Sequence, residues 1–311
     1  MINIIFLYVQ LIVIGLIGLV LGRNVKPTVP NNLGAFLYWV GIPISIVSFV
    51  RKADLSVQVL IAPIIALAAT FLGAMLACLV IKLSVYFTGN QPSPQTKGSF
   101  ILAAMVGNTG YLGFPVSLAV VGQQYFAWAL FYDMLGTLFS AYVIGVAIAA
   151  HYGNQDLDIG SNFQSNFRRV IKAVIINPAL WSFGFGLLFQ QVALPQLWEK
   201  SLDILGWSGV GLSLILMGMR IAKLKIRENL SWASISIAIK MLLVPFILGK
   251  ALPFLGLPAA PAKAILLQMA MPPAIATLVI SEAYNLDKDL SVTALALGAI
   301  LLLFTLPLFG G

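Results

Sequence analysis

The sequence predicts an all-α polytopic membrane protein of ten transmembrane helices, arranged as two inverted repeats of five, with helices 4 and 9 broken. Three observations lead there. The chain is 60% hydrophobic and only 9% charged, where soluble domains carry roughly 25% charged residues. Its apolar stretches approach the ~20 residues that a helix needs to cross a bilayer. Two of those stretches are interrupted in mid-span by residues that a continuous helix avoids, in corresponding positions of the two halves.

Taken in order, the spans run at roughly 3–22, 33–50, 57–81, 99–121, 125–150, 170–190, 203–220, 231–252, 262–283 and 290–308. The first begins Met-Ile-Asn-Ile-Ile-Phe and stays apolar to Leu21. It lacks a positive n-region and a small-residue cleavage site, and it is too long for a signal peptide, so it reads as a retained helix. Short loops carry turn formers, such as Gly89-Asn90-Gln91-Pro92-Ser93-Pro94. The longest polar stretch, Tyr152 to Arg169, divides the chain into a first five-helix repeat (1–151), a connecting loop (152–169) and a second, inverted repeat (170–311).

Charge sets the expected orientation. With the N-terminus outside, twelve basic residues fall inside, among them Arg23, Lys26, Lys82, Lys97, Arg168, Arg169, Arg220 and Lys223. Five (Arg51, Lys52, Lys200, Lys250 and Lys263) fall outside, and Lys240 lies within a span. The positive-inside rule then places both termini outside and the 152–169 loop in the cytoplasm. The same scatter of single basic residues accounts for the net charge of +8 without nucleic acid as a partner.

The fourth span is the centre of the reading. Between Ile101 and Gly122 it holds Gly107, Asn108, Thr109, Gly110, Gly113 and Pro115. Glycine weakens a helix, and proline removes a donor and clashes one turn back. Unpaired backbone groups cost several kcal/mol in hydrocarbon, so such a break survives only beside protein or water. The ninth span breaks at Met271-Pro272-Pro273-Ala274. Two further correspondences support a repeat. Gly41 to Ser45 matches Gly209 to Ser213 at an offset of 168, and Ile101 to Met105 matches Ile265 to Met269 at an offset of 164. An odd number of spans per repeat makes the second copy insert upside down.

These residues resemble the auxin efflux carrier family, which includes the plant PIN-FORMED proteins and bacterial members. Asn108-Thr109 followed by Gly113-Phe114-Pro115 is similar to that family's Asn-Thr-x-x-x-Gly-x-Pro crossover. Asn177-Pro178 with Gly184, Gly186 and Leu194-Pro195 resembles the opening of its second half. Ser213 to Gly218, Met271-Pro272-Pro273 through Tyr284, and Thr305-Leu306-Pro307 are similarly placed. The resemblance implies that broken helices 4 and 9 cross in a transport domain that moves against a scaffold. It also implies export or exchange of small organic anions without ATP hydrolysis, in an inner or plasma membrane, and a homodimer. The short central loop and the second proline of Pro272-Pro273 depart from the plant members, and point to a small carboxylate rather than auxin itself.

A broken helix exposes free N–H groups at one new end, which attract anions through unpaired donors and the helix dipole. The candidate substrate-binding residues are therefore Asn108, Thr109, Gly110, Tyr111, Ser45, Met271, Pro272 and Pro273. Crossover or hinge candidates are Gly107, Gly113, Pro115 and Pro272. The bland reading of both breaks is a packing kink eased by small residues. Asp133 sits well within a span, where a carboxylate is expensive and usually functional. It is the proton-coupling candidate, against a structural hydrogen bond, for instance to Lys240. Lys240 itself reads as structural or as snorkelling to the interface. Trp39, Trp128, Trp198, Trp207 and Trp232 read as interface anchors.

Other classes are weaker. No span offers a His with a Ser, paired aspartates or a His-Glu-x-x-His motif, so the chain is not read as an enzyme. A Gly-x-x-x-x-Gly-Lys-Ser/Thr loop is also missing, which argues against a primary pump. One cysteine, Cys78, and one histidine, His151, give no basis for a disulfide framework or a metal centre, and no cofactor is expected. A channel stays open as a rival. So does a sodium-coupled organic-anion symporter similar to the bile-acid transporters, which would need acidic or amide groups for Na⁺ beside the break.

Overall fold

The structure, a computed structural model, describes residues 4–26, 28–89, 91–153, 176–223 and 229–310. The described secondary structure is helical throughout: α1 (Ile4–Asn24), α2 (Thr28–Val50), α3 (Val57–Thr88), α4a (Pro94–Met105), α4b (Thr109–Val121), α5 (Gln123–Tyr152), α6 (Pro178–Phe189), α7 (Gln196–Lys223), α8 (Leu230–Gly249), α9a (Ala259–Met269), α9b (Ile275–Ala283) and α10 (Lys288–Gly310). Six of these, α2, α3, α5, α7, α8 and α10, are long and apolar enough to cross a membrane, and α1, α4b and α6 add shorter apolar segments. Most of the predicted loop 152–169 lies outside the described residues.

The helices sort by packing. α1 runs along α7, and α2 packs on both α6 and α7. Gly18 and Gly218 let α1 and α7 touch backbone to backbone, because a Cβ at either would collide with a main-chain oxygen of the other helix. The ends of α2 and α7 are tied by Arg51 to Glu199 at 3.3 Å and by Lys52 to Asp203. The remaining helices, α3, α4a, α5, α8, α9a, α9b and α10, enclose a second core built on Phe100, Ile101, Leu102, Met105, Ile265 and Met269. A third cluster, including Leu112, Val116, Leu214, Met217 and Met241, joins α4b and α8 to α7. Outward-facing apolar side chains such as Ile64, Phe71, Met75, Trp181, Leu188, Phe304 and Leu308 are exposed, as expected of surfaces that meet lipid.

At the edge of the second core, Asp287 caps α10 through Leu290 N (2.9 Å). It also accepts from Thr96 Oγ1 of α4a (2.9 Å) and from Asn229 Nδ2 at the start of α8 (2.7 Å). Three of the predicted anchors, Trp39, Trp198 and Trp207, are exposed, but Trp128 is buried at 2% exposure within the core. Trp232 packs edge-on against Phe100 at 5.0 Å. Hydropathy alone cannot separate an interfacial tryptophan from one that another helix covers.

Five stretches wind in wide π turns: Leu37–Gly41 in α2, Thr109–Gly113 in α4b, Tyr132–Thr137 and Ser140–Gly145 in α5, and Ile239–Leu243 in α8. Three are followed by a proline whose ring would strike the carbonyl four residues back. Those prolines are Pro43, Pro115 and Pro245, and a widened turn relieves the clash. In α5 hydroxyls take up the carbonyls instead, with Thr137 donating to Tyr132 O and Ser140 to Gly136 O (2.8 Å).

Candidate functional site

The two broken helices meet at their breaks. α4a ends at Met105 and α9a ends at Met269, the residues aligned by the offset of 164. Beyond them Gly107 and Pro273 form an antiparallel bridge. Asn108 N donates to Pro272 O at 2.7 Å, and Ala274 N donates to Val106 O at 3.0 Å. In this pairing the flanking residues exchange the hydrogen bonds and the central pair makes none, so Pro273 needs no N–H and Pro272 supplies only its carbonyl. Ala270 N and Met271 N turn back onto their own helix. Every N–H of the 270–274 break is thus paired, as a buried site requires.

Past the crossing, α4b and α9b present their N-terminal turns to one cavity of about 620 Å³. Gly113 N is the first of α4b to close a turn, onto Asn108 O at 3.1 Å, which leaves the earlier amides of Thr109, Gly110 and Tyr111 as helix-end donors. Ala274, Ile275 and Ala276 line the opposite side. Asn108 and Asp133 add polar side chains, α2 and α5 contribute Tyr38 and Tyr142, and Arg220 reaches in from α7. Thr109 Oγ1 donates to Asp133 Oδ1. The Arg220 guanidinium lies 5.5 Å from the centre of the Tyr111 ring, and no carboxylate pairs with it among the described residues. Four of the five π turns supply lining residues here, consistent with the use of such turns at functional sites. Two helix N-termini and a guanidinium facing one cavity form a field that suits an anion.

The sequence matches the family described as "Membrane transport protein" over residues 3–310. This chain belongs to that family of membrane transporters. It is 28% identical over 242 residues to an uncharacterized transporter of Methanocaldococcus jannaschii, covering 76% of this chain and 75% of the relative. It is 27% identical over 285 residues to an uncharacterized transporter of Methanothermobacter thermautotrophicus, covering 90% and 87%. A shorter likeness, 28% over 142 residues, links 43% of the chain to 23% of auxin efflux carrier component 3a of Oryza sativa subsp. japonica. The family resemblance read from the motifs is therefore sound, and the protein is a membrane transporter of the auxin efflux carrier family.

Within this transporter, Asn108, Thr109, Gly110 and Tyr111 all line the cavity, and Asp133 stands beside them. Met271, Pro272 and Pro273 form the buried crossing strand next to it. Ser45 stands apart from this lining. Its Oγ donates to Gly41 O at 3.0 Å and to Gly206 O at 2.8 Å, tying α2 to α7. Gly107 and Pro272 lie at the crossover, whereas Gly113 and Pro115 lie within α4b beyond it. Asp133 bonds to Thr109 rather than to Lys240, and Lys240 is buried at 3% exposure instead of snorkelling. Arg220 escaped the sequence reading because the apolar window of α7 ends at that residue, which assigned it to a loop. The helix continues to Lys223 and carries Arg220 against Tyr111.

Proposed function

We propose that this transporter is a secondary carrier of small organic anions, with the substrate held where the two broken helices cross. The observation that carries this reading is the convergence of two half-helix N-termini and the Arg220 guanidinium on a single cavity. In this reading Asn108, Thr109, Gly110 and Tyr111 bind the carboxylate and the body of the substrate. Met271, Pro272 and Pro273 fix the crossing, and Asp133 exchanges a proton during the cycle. Arg220, which no acid among the described residues neutralises, receives the anion's charge. Tyr38, Tyr111 and Tyr142 favour a carboxylate with an apolar or aromatic body.

The ten-span plan with inverted repeats (1–151 and 170–311) draws support from the crossing. Its two interhelix hydrogen bonds and its central pair are all related by one offset of 166 residues, within the range of the sequence matches. Alternating access would come from elevator-like movement of the body holding α4 and α9 against α1, α2, α6 and α7, which pack chiefly on one another. A plasma or inner membrane location, external termini and a homodimer complete the proposal.

The test is a thermal-shift screen of the purified protein against carboxylates, including indole-3-acetate and malate, with and without Na⁺. A ligand that prefers the folded carrier raises its melting point. A carboxylate that stabilises the protein, with the effect lost in Asn108→Ala, supports the reading; an effect equal in that variant removes Asn108 from the site. Stabilisation that requires Na⁺ would favour the sodium-coupled symporter instead.

A further inference from the structure

Another opening lies across α4b from the cavity. It is a groove of about 210 Å³ bounded by α1, α4b, α7 and α10. Leu112 and Val116 of α4b line it, whereas Tyr111 and Phe114 of the same helix line the cavity. Among the described residues its lining holds no charged, hydroxyl or amide side chain. The groove exists because α1 and α10 do not close on each other. Gly18 and Gly218 draw α1 onto the backbone of α7, while α10 packs chiefly on α8, α4a and α9b. The lining runs along about 10 Å of α1, from Ile12 to Leu19, and about 12 Å of α10, from Ala299 to Pro307, at 1.5 Å per residue.

The outer lip is formed by Leu16, Ile300 and Leu303, which are exposed, and the floor by Leu112 and Met217, which are buried. The lip belongs to the apolar surface that meets lipid, so the groove continues that surface into the protein. What fills it follows from its chemistry. An empty apolar space forfeits the dispersion contacts of its lining, and water does not settle where it has no polar partners. A carboxylate would bury its charge there without a donor, which is costly. A hydrocarbon chain meets every condition, and the bilayer supplies one at the lip.

We infer that the groove binds one acyl chain of a bilayer phospholipid, seated between the α1–α7 pair and the wall made by α4b and α10. The headgroup stays outside and is not selected, since this lining cannot recognise it. The chain backs the helix whose first turn faces the cavity, and gives α4b a replaceable packing surface against α1 and α7. That last role rests on the carrier reading above, in which these helices move past one another. The binding does not rest on it, and the test needs neither transport nor a known substrate, so either can fail while the other stands.

The experiment is photolabelling of the full chain in phosphatidylcholine liposomes containing a small share of the same lipid with a diazirine in its acyl chain. Labelled residues are read by mass spectrometry. Surrounding lipid should label outward side chains such as Phe71 and Met75 of α3. A chain in the groove should also label Leu112 and Met217, which are buried from the surrounding lipid. A Cβ added at Gly15, in the groove wall, meets nothing within 4 Å, so a larger side chain has room to enter. Gly15→Phe should lower the label on Leu112 and Met217 about tenfold, because a tethered ring competes at millimolar effective concentration, and leave Phe71 and Met75 unchanged. Gly15→Ala, which removes the glycine without filling the groove, should label as the wild type does. Gly15→Leu carries the same test if the phenylalanine variant does not fold. Phosphatidylglycerol with the same chain should give the same pattern. Absence of label at Leu112 and Met217 overturns the inference, as does label there that survives Gly15→Phe. A preference for one headgroup overturns it too, by placing recognition outside the groove. Displacement of the deep label by indole-3-acetate would make the groove part of a substrate path, and likewise overturns it.

Discussion

Gly113 separates two accounts of the broken helix, one in which its glycines serve as hinges and one in which they make room. Its backbone is ordinary right-handed helix (φ −65°, ψ −38°), so alanine is conformationally acceptable and would gain up to ~1 kcal/mol in helix propensity. Space is the obstacle. A methyl at 113 would stand 2.8 Å from both Cδ and Nε2 of Gln268 and closer still to Oε1. Gln268 is fully buried on α9a, where its Nε2 donates to Ser117 Oγ at 3.2 Å and its Oε1 has no partner among the described residues. Displacing it costs about 1–3 kcal/mol of overpacking and about 0.5–1.5 kcal/mol for the lost hydrogen bond. Gly113→Ala should therefore lower stability by about 1–4 kcal/mol, measured by equilibrium SDS unfolding. Gln268→Ala alone should cost less, because relieving the orphan oxygen offsets the void. The double variant should be more stable than Gly113→Ala, with a coupling of about 1–3 kcal/mol. Additive losses in the double variant would refute the steric argument and return Gly113 to a hinge.

Three further outcomes follow from the same geometry. Arg220→Gln should weaken binding of any carboxylate found in the screen by about 10–100-fold, the scale of one charge-assisted hydrogen bond; isothermal titration with affinity unchanged would remove Arg220 from the site. Asp133→Asn should flatten the pH dependence of transport in proteoliposomes while keeping its hydrogen-bonding position beside Thr109, and an unchanged profile would assign Asp133 a structural role. Asp287→Ala removes the α10 cap together with its bonds to Thr96 and Asn229. It should cost about 1–3 kcal/mol in SDS unfolding with no change in ligand affinity.

Much of this arrangement was legible in the residues because the bilayer narrows the options. Backbone that cannot be helical must be paired inside the protein, so Gly107-Asn108 and Pro272-Pro273 marked the breaks without any alignment. The prolines said less than they first suggested. Pro272 and Pro273 sit in the crossing, but Pro115, Pro43 and Pro245 only widen a turn, and nothing local distinguishes the two uses. What stayed hidden was tertiary. Arg220 lies at the edge of an apolar run, Lys240 inside one, and Trp128 near the end of one. Each was placed by distance along its own helix, whereas its environment is set by another: Tyr111, Met269 and the core around Phe100.

The crossing also explains why the two hidden cations stand where they do. An antiparallel meeting of two broken helices sorts the backbone ends, with N–H groups of α4b and α9b toward the cavity and carbonyls of α4a and α9a away from it. The first pair creates a positive field at Asn108 to Tyr111 and Ala274 to Ala276, which attracts an anion and leaves Arg220 to strengthen the attraction. The second pair creates a negative field, and Lys240 donates within it to Met269 O at the end of α9a at 2.6 Å.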